Sequence, residues 1–172
     1  MSLTLLVLRV IHVVGGVIWA GTAIFVAVFL LPSMGDAGPA GAPVMAALTK
    51  RKLFVIVPII AVLTMAAGIW LLYIASDGFH LAYFSTRHGA TYLIGGSCAV
   101  LGFLTFLVIN NPALARMGVL QPLIAKAASD ADRGPLLAEL GALRARAGMG
   151  TRITATLLFA AALAMALGRY VG

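Results

Sequence analysis

Three histidines (His12, His80 and His88), one cysteine (Cys98) and seven methionines are the side chains of this chain with the softest or most adaptable donor atoms. His12 stands apart from the rest. It lies in "RVIHVVGGVIWAG", Arg9 to Gly21, an apolar run that also holds an arginine, a tryptophan and two adjacent glycines. Residues three, four or seven apart share a helix face, so Arg9, His12, Gly16 and Trp19 fall on one stripe. Exposing an ionisable group to lipid costs on the order of several kcal/mol. His12 and Arg9 are therefore expected to face the interior of a helix bundle.

A neutral imidazole ringed by guanidinium groups suits haem b, a flat apolar ring with anionic edges. His12 would be an axial ligand, and Gly15 or Gly16 would make room for the porphyrin plane. Arg9, Arg87 and Arg169 would pair with the propionates. His88 is the first candidate for a second axial ligand and His80 the alternative. Each of these residues also has a plainer role. His12 can join two helices by a hydrogen bond, Arg9 can snorkel, and His80 and His88 can be solvated. Trp19 can simply pack, and Cys98 can act as a small hydrophobe. Tyr73 and Tyr83 suit interface anchors. Copper ranks below haem. It wants Met, His or Cys at close spacing, and Met1, Met34, Met45, Met65, Met117, Met149 and Met165 form no MxM or MxxxM group.

The elements that must position these residues follow from composition. The 172-residue chain is 62% hydrophobic and 10% charged, with a mean hydropathy of +1.08. That excludes an ordinary water-soluble domain. A single cysteine excludes an internal disulfide and a cysteine-based metal cluster. The net charge of +7 sits beside apolar spans rather than on a polar domain, so nucleic acid is not a partner. A spanning helix needs roughly 20 apolar residues. Four segments meet that need, at about 3–31, 53–75, 90–109 and 153–170. The first lacks the basic start and the cleavage site of a signal peptide.

The expected fold is all-α: an integral membrane four-helix bundle forming a single domain over 1–172. A cytoplasmic helical segment at about 112–148 joins spans three and four. Within it, "LLAELGALRARAG", 136–148, has the periodicity of an amphipathic helix. "PSMGDAGPAGAP" reads as irregular chain, and "VMAALTKRK" as a helical lead-in to the second span. "SDGFHLAYFSTRH" reads as an interfacial segment, and "NNP", 110–112, as the end of the third span. No internal repeat is evident. Small residues at Gly16 and Ala20, and at Ala160, Ala164 and Gly168, would let helices approach closely.

Lys50, Arg51, Lys52, Arg116, Lys126, Arg133, Arg144, Arg146 and Arg152 lie on one side, and Arg9, Arg87 and Arg169 on the other. The basic side is retained in the cytoplasm, so both termini are expected outside, in a bacterial inner membrane. The first segment would be about 43 Å long, more than the hydrocarbon thickness. Arg9 then lies near the outer interface and His12 one turn deeper. Besides the lipid bilayer, the partners expected are a redox partner or a larger membrane complex, and a second copy in a homo-oligomer.

"LRVIHVVGGVIWAG…FLLP" resembles the first helix of the CopD-like and HemJ-type four-helix membrane proteins. "KRKLFVIVPIIAVLTMAAGIWLLY", 50–73, extends the likeness through Pro58, Thr64 and Gly68, and "MALGRYVG" is similar to the close of small CopD-like proteins. The likeness covers all four spans, least in the third. The HemJ-type resemblance implies haem b held by His12 and oxidation of protoporphyrinogen IX. That family also carries a lysine near the start of the third helix, where this chain reads "RHGATY". The CopD-like resemblance implies copper handling. Three functions follow as expectations: a small haem b protein in electron transfer, an enzyme of tetrapyrrole metabolism, and a non-catalytic accessory subunit.

Overall fold

A computed structural model describes residues 2–171. The described residues are predominantly helical and include no strand. Four helices are long and apolar enough to cross a membrane: Leu3–Asp36, Leu53–Ala75, Arg87–Lys126 and Asp130–Tyr170.

The first begins as α1 (Leu3–Phe25), where the Ser2 hydroxyl accepts from the Leu5 N–H at 3.3 Å and so satisfies one free helix-end donor. It widens into a π-turn over Val26–Leu30 and continues as α2 (Leu31–Asp36). Pro32 explains the widening. Its ring lacks an N–H and crowds the carbonyl four residues back, and a π-turn is one of the few ways a helix absorbs that.

A 3₁₀ turn at Gly38–Gly41 leads to α3 (Ala42–Lys50). "PSMGDAGPAGAP" is therefore helical and not irregular. Pro39 and Pro43 each sit in the first two positions of a helical piece, where a missing N–H costs least, and Pro32 is accommodated by the π-turn before it. Lys52, in the left-handed region at φ 59°, turns the chain into α4 (Leu53–Ala75).

The connection after α4 takes three consecutive positive φ values, 50° at Asp77, 85° at Gly78 and 64° at Phe79. The buried Ser76 hydroxyl, 2.9 Å from the Phe79 N–H, ties it down. The short α5 (Leu81–Phe84) and then α6 (Arg87–Thr105) follow. A second π-turn, Phe106–Asn110, precedes Pro112 and α7 (Asn111–Lys126). The helix that carries the third span thus continues past "NNP". Ser129 caps α8 (Asp130–Leu167), which closes in a 3₁₀ turn at Gly168–Tyr170. Residues 136–148 are the first half of α8 and not a separate element, since nothing between 148 and 152 breaks the helix.

Helices α1 and α4 pack together, as do α6 and α8. Contacts of α1 with α8 and of α4 with α6 join the two pairs. Trp19, Ala61 and Leu158 form the buried centre, with Ala23, Ala99, Met65 and Phe103 against it. Trp19 meets Phe103 edge to face, ring centroids 6.2 Å apart. Elsewhere large apolar side chains point outward, among them Val17, Phe29, Ile59, Ile94, Val108 and Phe159. In water such a surface would aggregate; against acyl chains it is at home. Beyond the apolar zone α7 and α8 are linked by Arg116 and Glu139, which pair through two bonds of 2.6 and 3.0 Å. The bonds from Arg116 hold the Glu139 carboxyl below its ordinary pKa.

Candidate functional site

His12 is half-buried on the face of α1 that meets α4. Its Nδ1 lies 2.9 Å from the backbone carbonyl oxygen of Thr64. A carbonyl can only accept, so Nδ1 carries the proton, and in the neutral ring Nε2 is the bare nitrogen. The ring has a specific seat. A Cβ on Gly68 would lie 2.6 Å from His12 Cε1 and 2.8 Å from Nδ1, so only glycine admits the imidazole there. One turn below, the relation is reversed. The Thr64 hydroxyl, which donates to the Ile60 carbonyl at 2.8 Å, fills the place a Cβ on Gly15 would take. His12 and Gly15 on α1 thus interlock with Gly68 and Thr64 on α4. Gly16 makes only ordinary contact, 3.8 Å from Thr64 Cγ2.

His88 is built in a similar way on the other pair. It lies in the first turn of α6, which Thr86 caps by accepting from the Gly89 N–H at 3.0 Å. Its Nδ1 donates to the Gly168 carbonyl at 2.5 Å. The Tyr92 ring stands edge-on at 4.6 Å and that of Tyr83 at 6.1 Å. The Tyr83 hydroxyl oxygen is shielded and has no hydrogen-bond partner. Burial, and then the nearby Tyr92, raises its pKa. The two imidazoles therefore belong to different helix pairs, His12 to α1–α4 and His88 to α6–α8.

The remaining predicted residues lie at the same end of the molecule. Arg9, Arg87 and Arg169 are exposed, and the Arg169 guanidinium lies 5.3 Å from the ring centre of its neighbour Tyr170. His80 is exposed in the connection that follows α4. Among the described residues, no group of three or more His, Cys, Asp or Glu could hold a metal ion. Two open cavities lie apart from the histidines. One of about 270 Å³ is lined by Pro58, Ile59, Val62, Leu63 and Phe103. The other, of about 410 Å³, runs from Gly21 and Phe25 to Leu48 and Leu53. Neither includes His12 or His88.

Sequence reasoning missed Asn110. Its side chain is 5% exposed, and its Nδ2 donates to the Ala147 carbonyl at 3.0 Å and to the Thr151 hydroxyl at 2.9 Å. Its Oδ1 rests against Gly150 without a hydrogen bond. The available signal was an asparagine closing the apolar run "FLVIN".

No family model, no curated protein and no solved structure matches this chain.

Proposed function

We propose that the chain is an integral membrane protein that binds haem b, with His12 as the residue that would hold the iron through Nε2, in a bacterial inner membrane with both termini outside. The supporting observation is the His12–Thr64 hydrogen bond. A ligating histidine almost always donates its other ring N–H to a carbonyl or carboxylate, which fixes tautomer and orientation. Here the Thr64 carbonyl takes the Nδ1 proton and leaves a bare Nε2, while Gly68 fixes where the ring sits. In donor chemistry the residues fit the group. His88 shares the tautomer and is the candidate second ligand. Arg9, Arg87 and Arg169 are exposed and would pair with the propionates. When bound, haem supplies one-electron redox chemistry. The chain's own residues orient the imidazole through the Thr64 carbonyl and the Gly68 seat, and a membrane redox partner completes the function.

The test is an absorption spectrum of the purified protein, oxidised and reduced, after expression with haem supply. A Soret band and a reduced α band are expected, lost or shifted in His12→Ala. A preparation that stays colourless after reconstitution with haem overturns the proposal.

A second reading, a non-catalytic subunit of a larger membrane complex, is favoured by the closeness of the same joint. With Gly68 beneath its ring and Thr64 bonded to it, His12 is a complete helix-to-helix connection. On this reading the protein is colourless and other chains co-purify at fixed ratio.

A further inference from the structure

We infer that the chain is two copies of one helix-pair unit, α1–α4 and α6–α8, and that unequal aromatic positions between the copies lock them together as unlike halves. The contacts repeat. The ring of His12 occupies the space above Gly68, and the ring of Tyr92 occupies the space above Gly168, where a Cβ would lie 2.7 Å from Cε1. Gly15 receives Thr64, and Gly95 receives Ala164, 3.2 Å from a Cβ placed on it. Each first helix runs from a Gly-Gly pair, 15–16 or 95–96, to a π-turn, 26–30 or 106–110, and then to Pro32 or Pro112 at the same remove. Each second helix carries a like stretch, "AVLTMAAGIW" from Ala61 and "AALAMALGRY" from Ala161, identical at half its positions. Lys52 and Arg152 stand at matching points before them.

The copies are unlike where they face each other. Trp19 on α1 corresponds to Ala99 on α6, and Ala23 on α1 to Phe103 on α6. All four belong to the central cluster, where Trp19 packs edge-on against Phe103. By that correspondence Phe103 stands where Ala23 does in the first copy, so two copies of α1–α4 would set Trp19 against an alanine and lose the ring–ring contact. The pairing surface of α1–α4 therefore suits α6–α8 better than another α1–α4. The site is unequal in the same way. The seat that holds an imidazole in the first copy holds a phenol in the second, which leaves His12 without an equivalent ligand across the pair.

The test exchanges the bulk. Trp19→Ala with Phe103→Ala should lower the melting temperature in detergent by about 5 °C or more. Adding Ala99→Trp and Ala23→Phe, which rebuilds the ring pair in mirrored positions, should recover at least half of that loss. A fourfold variant that melts no higher than the double alanine variant, or that fails to accumulate where the double variant does, overturns the inference. A second measurement needs only membranes. With Cys98→Ser as background, the pairs Gly15→Cys/Thr64→Cys and Gly95→Cys/Ala164→Cys should both oxidise to a crosslink that shifts mobility on a gel. Crosslinking of one pair alone also overturns it.

Discussion

The imidazole of His12 occupies the space that a side chain on Gly68 would need, with Cε1 only 2.6 Å from the Cβ position. The obstacle is a ring pinned by its bond to Thr64, so it cannot swing aside without losing that bond. Gly68→Ala should therefore cost on the order of 1–3 kcal/mol, as overpacking does, and should reduce any pigment that His12 holds. Gly21→Ala and Gly96→Ala are the controls. Nothing lies within 4 Å of a Cβ at either, and alanine is the better helix former by up to about 1 kcal/mol. Thermal melts in one detergent, followed by circular dichroism, should place Gly68→Ala below the parent and the two controls level with it or above.

A turn away, Gly15 and Thr64 allow a stricter experiment, because the obstacle is a single hydroxyl. Gly15→Ala alone drives a methyl group into Thr64 Oγ1. Thr64→Ala alone removes an oxygen that bonds only within its own helix, to Ile60. The double variant relieves the clash. A double-mutant cycle should give a coupling of at least about 1 kcal/mol, with the double variant more stable than Gly15→Ala. Additive effects would mean that the helices do not meet at these residues.

The four long apolar helices were legible because they rest on composition, and His12 because it is the one imidazole in such a run; the face of Arg9 was not, for it is exposed rather than turned to the bundle interior. A long apolar run with one imidazole can be read without knowing its neighbours. The seat of that imidazole could not be read. "AAGIW" is a common membrane string, and only the packing shows that His12 rests on its glycine. Proline misled in the first connection. Pro39 and Pro43 act as breakers when counted as composition, yet as helix starters by position. The repeat escaped because its two helices keep different spacings. Pro32 and Pro112 are eighty residues apart while Gly68 and Gly168 are a hundred apart, the longer α7 and the extended start of α8 making up the difference. A search at one fixed period dilutes both signals.

The Arg116–Glu139 pair, short and two-pronged as it is, should contribute little to stability. Both groups are solvent-exposed, and water and salt screen such pairs. Hydrogen bonds from Arg116 lower the Glu139 pKa in the fold. The linked stability is therefore present above the unfolded glutamate range and is lost as pH falls through the lower, folded value. Glu139→Gln should leave the melting temperature near neutral pH within measurement error, and a carboxyl titration followed by NMR should place Glu139 below an ordinary glutamate. A large loss of stability in Glu139→Gln would show that the α7–α8 contact depends on this pair.

Asn110 should matter far more than its place outside the histidine site implies. It is buried, and its amide joins the end of the second π-turn to α8 through Ala147 and Thr151. Removing it takes one donor from the Ala147 carbonyl, which keeps the Thr151 hydroxyl, strips the Thr151 hydroxyl of its other partner, and opens a void beside Gly150. Asn110→Ala should cost about 1–3 kcal/mol. Asn110→Asp should cost more, because a carboxylate sets an acceptor against the Ala147 carbonyl and buries a charge. Gly150→Ala should also destabilise, since its methyl group meets Oδ1. Placed in the Asn110→Ala background, the same methyl group enters vacated space, and much of its cost should vanish. Denaturant titrations of the four proteins separate these outcomes. If Gly150→Ala costs the same in both backgrounds, the asparagine does not lie over that glycine, and the third and fourth spans are not clamped at this level.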